Sequence, residues 1–207
     1  MKMTNRRNRA VYRAWAPIYD RTVEHLFAPA RRRAMELLAL RPGERVLLLG
    51  VGTGSDLPLL PEGIRALGID LSPEMLARAR AKLPLPDRTV ELVLGDAQAP
   101  EVEHGSYDAV VLNLILSVVP DGAACLRAAL GALAPHGRIV VFDKFASEGA
   151  RVSRVKRLLN VGSSFLGTDI TRRFGDLARG APCEVVHDEP SLFGGMYRIL
   201  LLRRCPA

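Results

Sequence analysis

Three glycines and one aspartate are the most informative residues of this 207-residue chain. An apolar run, Val46 to Leu49, leads directly into Gly50, Gly52 and Gly54, and Asp70 comes at the end of a second apolar run. Glycine has no Cβ and adopts positive φ at little cost, so backbone at such a turn can approach a ligand closely. A carboxylate at the end of the second strand is placed to accept hydrogen bonds from two ribose hydroxyls. The pattern therefore predicts a nucleoside-binding βαβ unit.

The spacing of the glycines restricts the ligand further. It is Gly-x-Gly-x-Gly, whereas proteins that bind a pyrophosphate carry Gly-x-Gly-x-x-Gly. The shorter spacing suits S-adenosylmethionine, which has a ribose but no phosphate. A glycine triplet also occurs in loops that turn tightly for packing alone, so the interpretation depends on the segments that follow.

The segments that follow have the landmarks of one fold. Asp96 follows a third apolar run, Val90 to Leu94, where its carboxylate is placed to accept from an adenine amino group. Tyr107 to Asn113 forms a fourth strand, and Arg138 to Asp143 forms a fifth. With these landmarks, residues 45–145 resemble the class I S-adenosylmethionine-dependent methyltransferases. The resemblance implies one set of cofactor-binding residues: Gly50, Gly52, Thr53, Gly54, Asp70, Leu71, Met75, Asp96, Ala97 and Asn113.

The resemblance and the hydrophobic periodicity together predict the fold class. We expect an α/β protein with a Rossmann-like, doubly wound, seven-stranded and mostly parallel sheet, an antiparallel last strand, and N-terminal helices. A single methyltransferase domain is expected over residues 1–207. It is divided into a basic helical N-terminal segment or lid (1–44), a cofactor-binding core (45–145), and substrate-side helices with closing strands (146–207).

The predicted elements alternate along the chain. Strands are expected near residues 45–49, 65–69, 90–94, 108–112 and 138–143, and helices near 8–20, 28–40, 56–61, 73–82, 121–134, 151–160 and 170–178. Ser72 is expected to cap the helix that Pro73 begins, because serine accepts an orphan backbone N–H and proline suits the first helical position. Two last strands, near 183–187 and 196–203, should close the sheet as an antiparallel hairpin.

Composition and charge narrow the class of protein. Residues 1–45 carry a net charge of +7, residues 46–150 of −5 and residues 151–207 of +5. Such basic segments either attract anionic partners or form solvated faces. No apolar run approaches the roughly 20 residues of a membrane span, and no secretory signal is visible. The three cysteines lack metal-ligand spacing, so we expect a cytoplasmic protein with reduced thiols and no metal site.

Methyl transfer requires few catalytic side chains. The sulfonium donor is reactive, and the protein mainly aligns it with the acceptor. A base is needed only where the acceptor must lose a proton, and no histidine lies in a base constellation. The segment Tyr12 to Asp20 resembles the aromatic lid of methyltransferases related to the ubiquinone and menaquinone C-methyltransferases. Tyr19 is therefore the candidate catalytic residue, and the alternative is that it only packs between helices.

One position departs from the superfamily pattern. Its members usually carry Glu or Asp two residues before the first glycine, where the acid orders the glycine loop near the methionine moiety. This chain has Leu48 at that position. The amino group of the cofactor must therefore find another partner. Asp56 is one candidate, although a role as a helix N-cap is the stronger expectation.

The residues after the fourth strand bear on the methyl acceptor. Enzymes that N-methylate adenine or glutamine usually carry Asn-Pro-Pro-Tyr where this chain has Asn113 to Leu116. An apolar pocket rim suits a hydrophobic acceptor better, and the alternative is that these side chains simply belong to the core. The residues of this rim are Leu114, Ile115, Leu116, Val118 and Val119.

Across nearly the whole chain, the pattern resembles the small bacterial phosphatidylethanolamine N-methyltransferases. The outer segments behind this resemblance are Tyr12–Asp20, Gly68–Met75, Leu116–Asp121, Phe165–Ile170 and Met196–Arg198. The resemblance implies phospholipid biosynthesis by an enzyme that docks on a bilayer and methylates phosphatidylethanolamine. The alternative is C- or O-methylation of a polyprenylated quinol or another small apolar acceptor.

The basic segments give an independent reason to expect a membrane surface. A basic amphipathic helix with Trp15 is typical of an interfacial binder, and each Lys or Arg near an anionic surface contributes roughly 1 kcal/mol. Nucleic acid is not expected, because aromatic residues for base stacking are sparse. A cofactor-binding sensor without activity stays open. Contacts with an anionic membrane, at the inner face, are expected from Arg6, Arg7, Arg9, Arg13, Arg151, Arg154 and Arg157.

Overall fold

The protein is built on one seven-stranded sheet, seen in a computed structural model that describes residues 25–146 and 172–205. The strands are β1 (Arg45–Leu49), β2 (Arg65–Asp70), β3 (Thr89–Leu94), β4 (Tyr107–Asn113), β5 (Leu133–Lys144), β6 (Cys183–Pro190) and β7 (Tyr197–Arg204). Their order in the sheet is β3-β2-β1-β4-β5-β7-β6. The strands β1 to β5 are parallel, and β7 runs antiparallel to both of its neighbours. The predicted fold class and the closing hairpin are confirmed.

Helices cover both faces of the sheet. They are α1 (25–38), α2 (Pro73–Arg80), α3 (Gly122–Ala132) and the short α4 (Phe174–Leu177). The predicted start of α2 is confirmed, because the Ser72 hydroxyl accepts the Met75 N–H at 3.3 Å and Pro73 takes the first helical position. Asp121 caps α3 in the same way by accepting the Ala124 N–H at 2.9 Å.

The inner strands β1 and β4 are apolar on both sides because both faces of the sheet are buried there. Side chains of β1 alternate between two core clusters. Leu47 lies in the cluster beneath α3, with Leu126, whereas Leu48 lies in the cluster that contains Leu38 of α1 and Leu76 of α2. The alternation explains why β1 is a continuous run of apolar residues rather than a polar–apolar pattern.

Several predicted elements have different bounds in the structure, and three of them differ most. The helix expected over 56–61 is a single 3-10 turn, Leu57–Leu59, in a segment limited by two prolines. Strand β5 begins at Leu133, inside the stretch predicted as helix end and turn, because Leu133 pairs with Tyr107 before a register shift. Only Phe174–Leu177 of the helix expected over 170–178 is helical in the described chain.

The ends of β1 to β5 share one edge of the sheet, here called the carboxyl edge. The strand order reverses between β1 and β4, and ligands of open α/β sheets bind outside the strand ends at such a reversal. The described chain also starts at this edge, where Phe27 of α1 packs on Tyr197 with ring centroids 5.0 Å apart. Ala146 and Arg172 are joined there by a 2.8 Å backbone hydrogen bond.

Some predicted elements lie outside the described residues. They are the helices expected over 8–20 and 151–160, with the basic residues that they carry. None of the described helices is long and apolar enough to span a bilayer.

Candidate active site

The glycine loop after β1 is hydrogen-bonded to β2 on one side and is open to solvent at Gly52. Gly50, Gly52 and Gly54 have φ of +73°, +56° and +77°, a region where a side chain is strained. The N–H groups of Gly50 and Val51 both donate to the Ile69 carbonyl of β2, at 2.8 and 3.0 Å. A Cβ on Gly52 would meet no atom closer than 4.0 Å, so the middle of the loop faces open space. Backbone at this turn is therefore accessible to a ligand.

Asp70 connects the end of β2 to the glycine loop. Its Oδ2 accepts the Gly52 N–H at 2.8 Å, and its Oδ1 accepts the Ser72 N–H at 2.9 Å. Burial raises the pKa of the Asp70 carboxyl above its ordinary value, and the backbone donors around it oppose that rise. A carboxylate has about four acceptor positions, so Asp70 can also accept from a ligand hydroxyl.

Asp96 lies just beyond the end of β3, in a short polar network. Its Oδ1 accepts the backbone N–H of Gln98 at 3.0 Å, and the Gln98 amide donates to both carboxylate oxygens. The Gln98 Oε1 in turn accepts the Asp121 N–H at 2.7 Å, at the start of α3. Sequence reasoning missed Gln98, although an amide two residues after a strand-end aspartate was the available signal.

Asp56 is a buried ion-pair partner and not a helix cap. The expectation that its side chain caps a helix is wrong, because the side chain makes no cap hydrogen bond in the 3-10 turn. Its Oδ2 accepts from Arg31 Nη1 at 2.6 Å, and its Oδ1 accepts from Asn113 Nδ2 at 3.0 Å. The Oδ1 of Asn113 is buried and has no hydrogen-bond partner among the described residues.

The predicted cofactor-binding residues come together at the carboxyl edge. The glycines and Thr53 form the loop after β1, Asp70 and Leu71 end β2, Asp96 and Ala97 follow β3, and Asn113 ends β4. Met75 lies one turn into α2 with 7% of its surface exposed. Their contact with a cofactor stays a prediction.

Comparison with known proteins agrees with this arrangement. Residues 47–141 match the family described as a methyltransferase domain. The chain is 31% identical to phosphatidylethanolamine N-methyltransferase of Cereibacter sphaeroides over 93% of its own length and 95% of that protein. The chain belongs to the methyltransferase family. Demethylmenaquinone methyltransferase of Beutenbergia cavernae is 37% identical to this methyltransferase, but over only 55% of the chain and 46% of that protein.

Solved structures agree on the fold. A chain of the complex between the Haloferax volcanii Trm112 methyltransferase activator and a methyltransferase superposes with a TM-score of 0.74 at 20% identity, covering 96% of this chain and 97% of that one. Geranyl diphosphate methyltransferase in complex with S-adenosylmethionine superposes with a TM-score of 0.71 at 14% identity, covering 85% and 84%. S-adenosylmethionine is the cofactor that the family and these neighbours imply.

The site of the methyltransferase fits this cofactor. Open space over Gly52 admits a ligand against the loop backbone. Asp70 and Asp96 supply carboxylate acceptors at the ends of adjacent strands, which suits a ribose and an adenine side by side. The unpartnered oxygen of Asn113 supplies one more acceptor at the end of β4.

The segment after β4 is held by two residues that sequence reasoning did not single out. The Oδ2 of Asp143, on β5, accepts the Ser117 N–H at 2.9 Å. Asp143 is fully buried, and burial raises the pKa of its carboxyl despite the donors of Ser117 and Lys144. Arg172 donates to the carbonyls of Leu116 and Pro120. The only sequence signal for Asp143 was its place as the acid that ends an apolar strand.

The apolar rim predicted after β4 is only partly a rim. Leu116 and Val119 are buried in the core cluster beneath α3, so the rim interpretation is wrong for these two. Leu114 has φ of +60°, a strained conformation for a leucine, and it is half-buried with Ile115 and Val118. Ile115 packs directly over Gly50, where a Cβ would lie 2.4 Å from its Cδ1. For the half-buried members, Leu114, Ile115 and Val118, the rim stays a prediction.

The candidate catalytic residue and the predicted membrane contacts lie outside the described residues. They are Tyr19, Arg6, Arg7, Arg9, Arg13, Arg151, Arg154 and Arg157. The histidines that are described form no base constellation, since His104 is exposed and His187 bonds to Glu189 at 2.8 Å.

Proposed function

We propose that this methyltransferase transfers methyl groups from S-adenosylmethionine to the amine of phosphatidylethanolamine, as a cytoplasmic enzyme that docks on the inner face of the membrane. The observation that carries the proposal is the relative of that name, because the similarity extends over nearly the full length of both chains. The quinone methyltransferases match over only 55% of this chain and about half of their own length.

Exposed apolar side chains at the carboxyl edge support docking on a lipid surface. The turn between β6 and β7 exposes 59% of Phe193 and 38% of Met196, and the first turn of α1 exposes 46% of Leu26. Phe193 also has φ of +53°, which is unfavourable for a bulky residue. Phe193 contacts Tyr197, with ring centroids 5.7 Å apart, and its strained backbone together with the exposed apolar side chains around it supports a docking role for this turn.

The charge of the chain fits the same surface. The basic segment 1–24 joins the described chain at the carboxyl edge, and segment 147–171 leaves and re-enters there between Ala146 and Arg172. Segment 1–24 contains six Lys and Arg against two Asp and Glu, and segment 147–171 contains four against two. Anionic headgroups would attract both segments, and the apolar side chains between them would contact the acyl boundary.

The chemistry places modest demands on the chain's own residues. When bound, S-adenosylmethionine supplies an activated methyl group for in-line displacement by a nucleophile. Asp70, Asp96 and Asn113 would hold the donor, and the half-buried rim of Leu114 and Ile115 would exclude water from the acceptor. Alignment of this kind contributes roughly 7–11 kcal/mol in well-oriented reactions. An ammonium acceptor must also lose a proton, and Tyr19 is the residue we propose near that step.

The test is transfer of labelled methyl from S-adenosylmethionine into liposomes that contain an anionic lipid, with and without phosphatidylethanolamine. Label in lipid only when phosphatidylethanolamine is present would support the proposal. Label that appears only when a polyprenylated quinol replaces it would favour the alternative, which the matches to demethylmenaquinone methyltransferases support.

A further inference from the structure

We propose that Arg31 and Asp56 are positioning residues that hold the side-chain oxygen of Asn113 as the acceptor for the ammonium group of the bound cofactor. The inference rests on the proposed S-adenosylmethionine-dependent function. It gives one role to three polar side chains that come from α1, from the segment after the glycine loop, and from the end of β4.

The hydrogen bonds fix which way the Asn113 amide points. Arg31 Nη1 donates to Asp56 Oδ2 at 2.6 Å, an ion pair in which 15% and 5% of the side chains are exposed. An ionised carboxylate only accepts, so Asn113 must turn its NH2 group toward Asp56, and it donates at 3.0 Å. The amide oxygen is then on the opposite side of the group. With only 5% of Asn113 exposed, that oxygen has no donor among the described residues.

A buried acceptor without a donor is unfavourable, so it requires an explanation. The location supplies one. Leu48 pairs with Val111, so Gly50 and Asn113 lie at the same level two residues farther along β1 and β4, on either side of the strand-order reversal. A ligand at such a reversal reaches both strand ends.

The order of strands indicates which end of the cofactor lies there. Asp96 follows β3 and Asp70 ends β2, so the adenine and ribose would lie on that side of β1. The methionine end then extends across β1 toward β4. Its ammonium carries three N–H donors, and Leu48 offers no carboxylate to receive them. The Asn113 oxygen is the buried acceptor that matches.

The experiment is calorimetric binding of two ligands to the wild type and to Asn113→Ala and Asp56→Asn. S-adenosylhomocysteine carries the ammonium, whereas 5′-methylthioadenosine keeps the nucleoside and thioether without the amino acid. Asn113→Ala should weaken S-adenosylhomocysteine binding by about 10- to 100-fold, as expected for a lost bond to a charged donor. Binding of 5′-methylthioadenosine should be unchanged. Asp56→Asn should weaken S-adenosylhomocysteine alone by about threefold or more, because an amide partner lets Asn113 flip.

The control is Asp108→Asn, at the opposite edge of the sheet, where Asp108 Oδ2 accepts the Arg45 N–H at 2.8 Å. This variant should bind both ligands like the wild type. Equal weakening of both ligands by Asn113→Ala would mean a collapsed cavity and would overturn the inference, as would no change in either. If the wild type bound neither ligand, the proposed cofactor dependence itself would fail, and the two failures are therefore distinguishable.

Discussion

Replacing Asp70 by asparagine should separate ligand affinity from stability. The Asp70 carboxylate already accepts the N–H groups of Gly52 and Ser72, at 2.8 and 2.9 Å, and a carboxylate has about four acceptor positions, so no more than two remain for ribose hydroxyls. At most two ligand bonds are therefore at risk. Because water partly replaces them, we expect a loss of about 1–3 kcal/mol, or a Kd for S-adenosylhomocysteine about 5- to 150-fold higher.

The stability of the Asp70→Asn variant should change little, and the direction of the Asp70 pKa shift explains why. Burial raises the pKa of the Asp70 carboxyl above its unfolded value, so the folded protein binds this proton more tightly than the unfolded chain does. Ionisation of Asp70 therefore opposes folding at every pH above that raised pKa. Asparagine removes the buried charge but leaves one backbone N–H poorly satisfied. These effects oppose each other, and we expect the free energy of unfolding to change by less than about 1 kcal/mol.

The assay combines urea unfolding of the ligand-free protein with calorimetric titration of S-adenosylhomocysteine over a range of pH. Affinity of the wild type should fall as the pH is lowered through the Asp70 pKa, because ribose hydroxyls donate to the ionised form. The Asp70→Asn variant should lack that part of the pH dependence. A parallel loss of stability and affinity would refute this reasoning, since it would make Asp70 a structural residue of the glycine loop. An unchanged Kd for the Asp70→Asn variant would also refute it, because the nucleoside would then not bind at Asp70.

Three other changes test separate parts of the molecule. Serine at both Phe193 and Met196 should weaken binding to anionic liposomes by about tenfold or more in sedimentation assays, since each buried apolar side chain contributes about 1.5–3 kcal/mol. The similarly exposed Val185, on β6 away from that turn, should tolerate serine without effect. If the Tyr19 hydroxyl assists proton removal, Tyr19→Phe should slow methyl transfer by about tenfold or more and leave S-adenosylhomocysteine binding unchanged. Equal rates of methyl transfer would indicate that Tyr19 only packs between helices. Glu44→Gln should lower the free energy of unfolding by about 1–2 kcal/mol at neutral pH. Urea unfolding at several pH values should show this difference disappear as the pH falls through the lowered Glu44 pKa.

Local pattern was sufficient for most of the sheet. Strands β1, β2 and β4 are apolar runs bounded by glycine or polar residues. The predicted bounds of β1 agree with the structure, and those of β2 and β4 differ by one residue at one or both ends. The start of α2 was readable because Ser72 and Pro73 act on their immediate neighbours. The closing hairpin was predicted from two late strand segments together with the resemblance to a family whose sheet ends with an antiparallel strand.

Features that depend on distant partners were not readable. Asp56 precedes a short apolar turn, which predicts a cap, but Arg31 lies 25 positions earlier and takes the carboxylate instead. The extended start of β5 at Leu133 depends on pairing with Tyr107. The clamp of Arg172 on the carbonyl of Leu116 joins residues 56 positions apart. A single sequence carries no signal for such contacts.

Glu44, at the edge of the sheet where β1 to β5 begin (the amino edge), differs from Asp70 and Asp143, at the carboxyl edge, in the direction of its pKa shift. At the amino edge, Arg138 contacts Glu44 through two nitrogens, at 3.1 and 2.9 Å. Burial would raise the Glu44 pKa, but these bonds and the Arg41 N–H hold it below its ordinary value, so this charge stabilises the fold. At the carboxyl edge, burial raises the pKa of both Asp70 and Asp143, so ionising either carboxyl opposes folding.

Because ionisation of these two carboxyl groups opposes folding, their presence requires another explanation. Each carboxylate holds a backbone segment at the carboxyl edge. Asp70 accepts an N–H of the glycine loop, and Asp143 accepts an N–H of the segment that follows β4. Perturbed acids of this kind concentrate where ligands bind. The raised pKa of Asp70 and of Asp143 agrees with a ligand site at this edge, whereas the Glu189 carboxyl, also at this edge, has a lowered pKa because it bonds to Arg33. Glu44→Gln should therefore lower stability and leave ligand binding intact, whereas Asp70→Asn should weaken ligand binding and leave stability nearly unchanged.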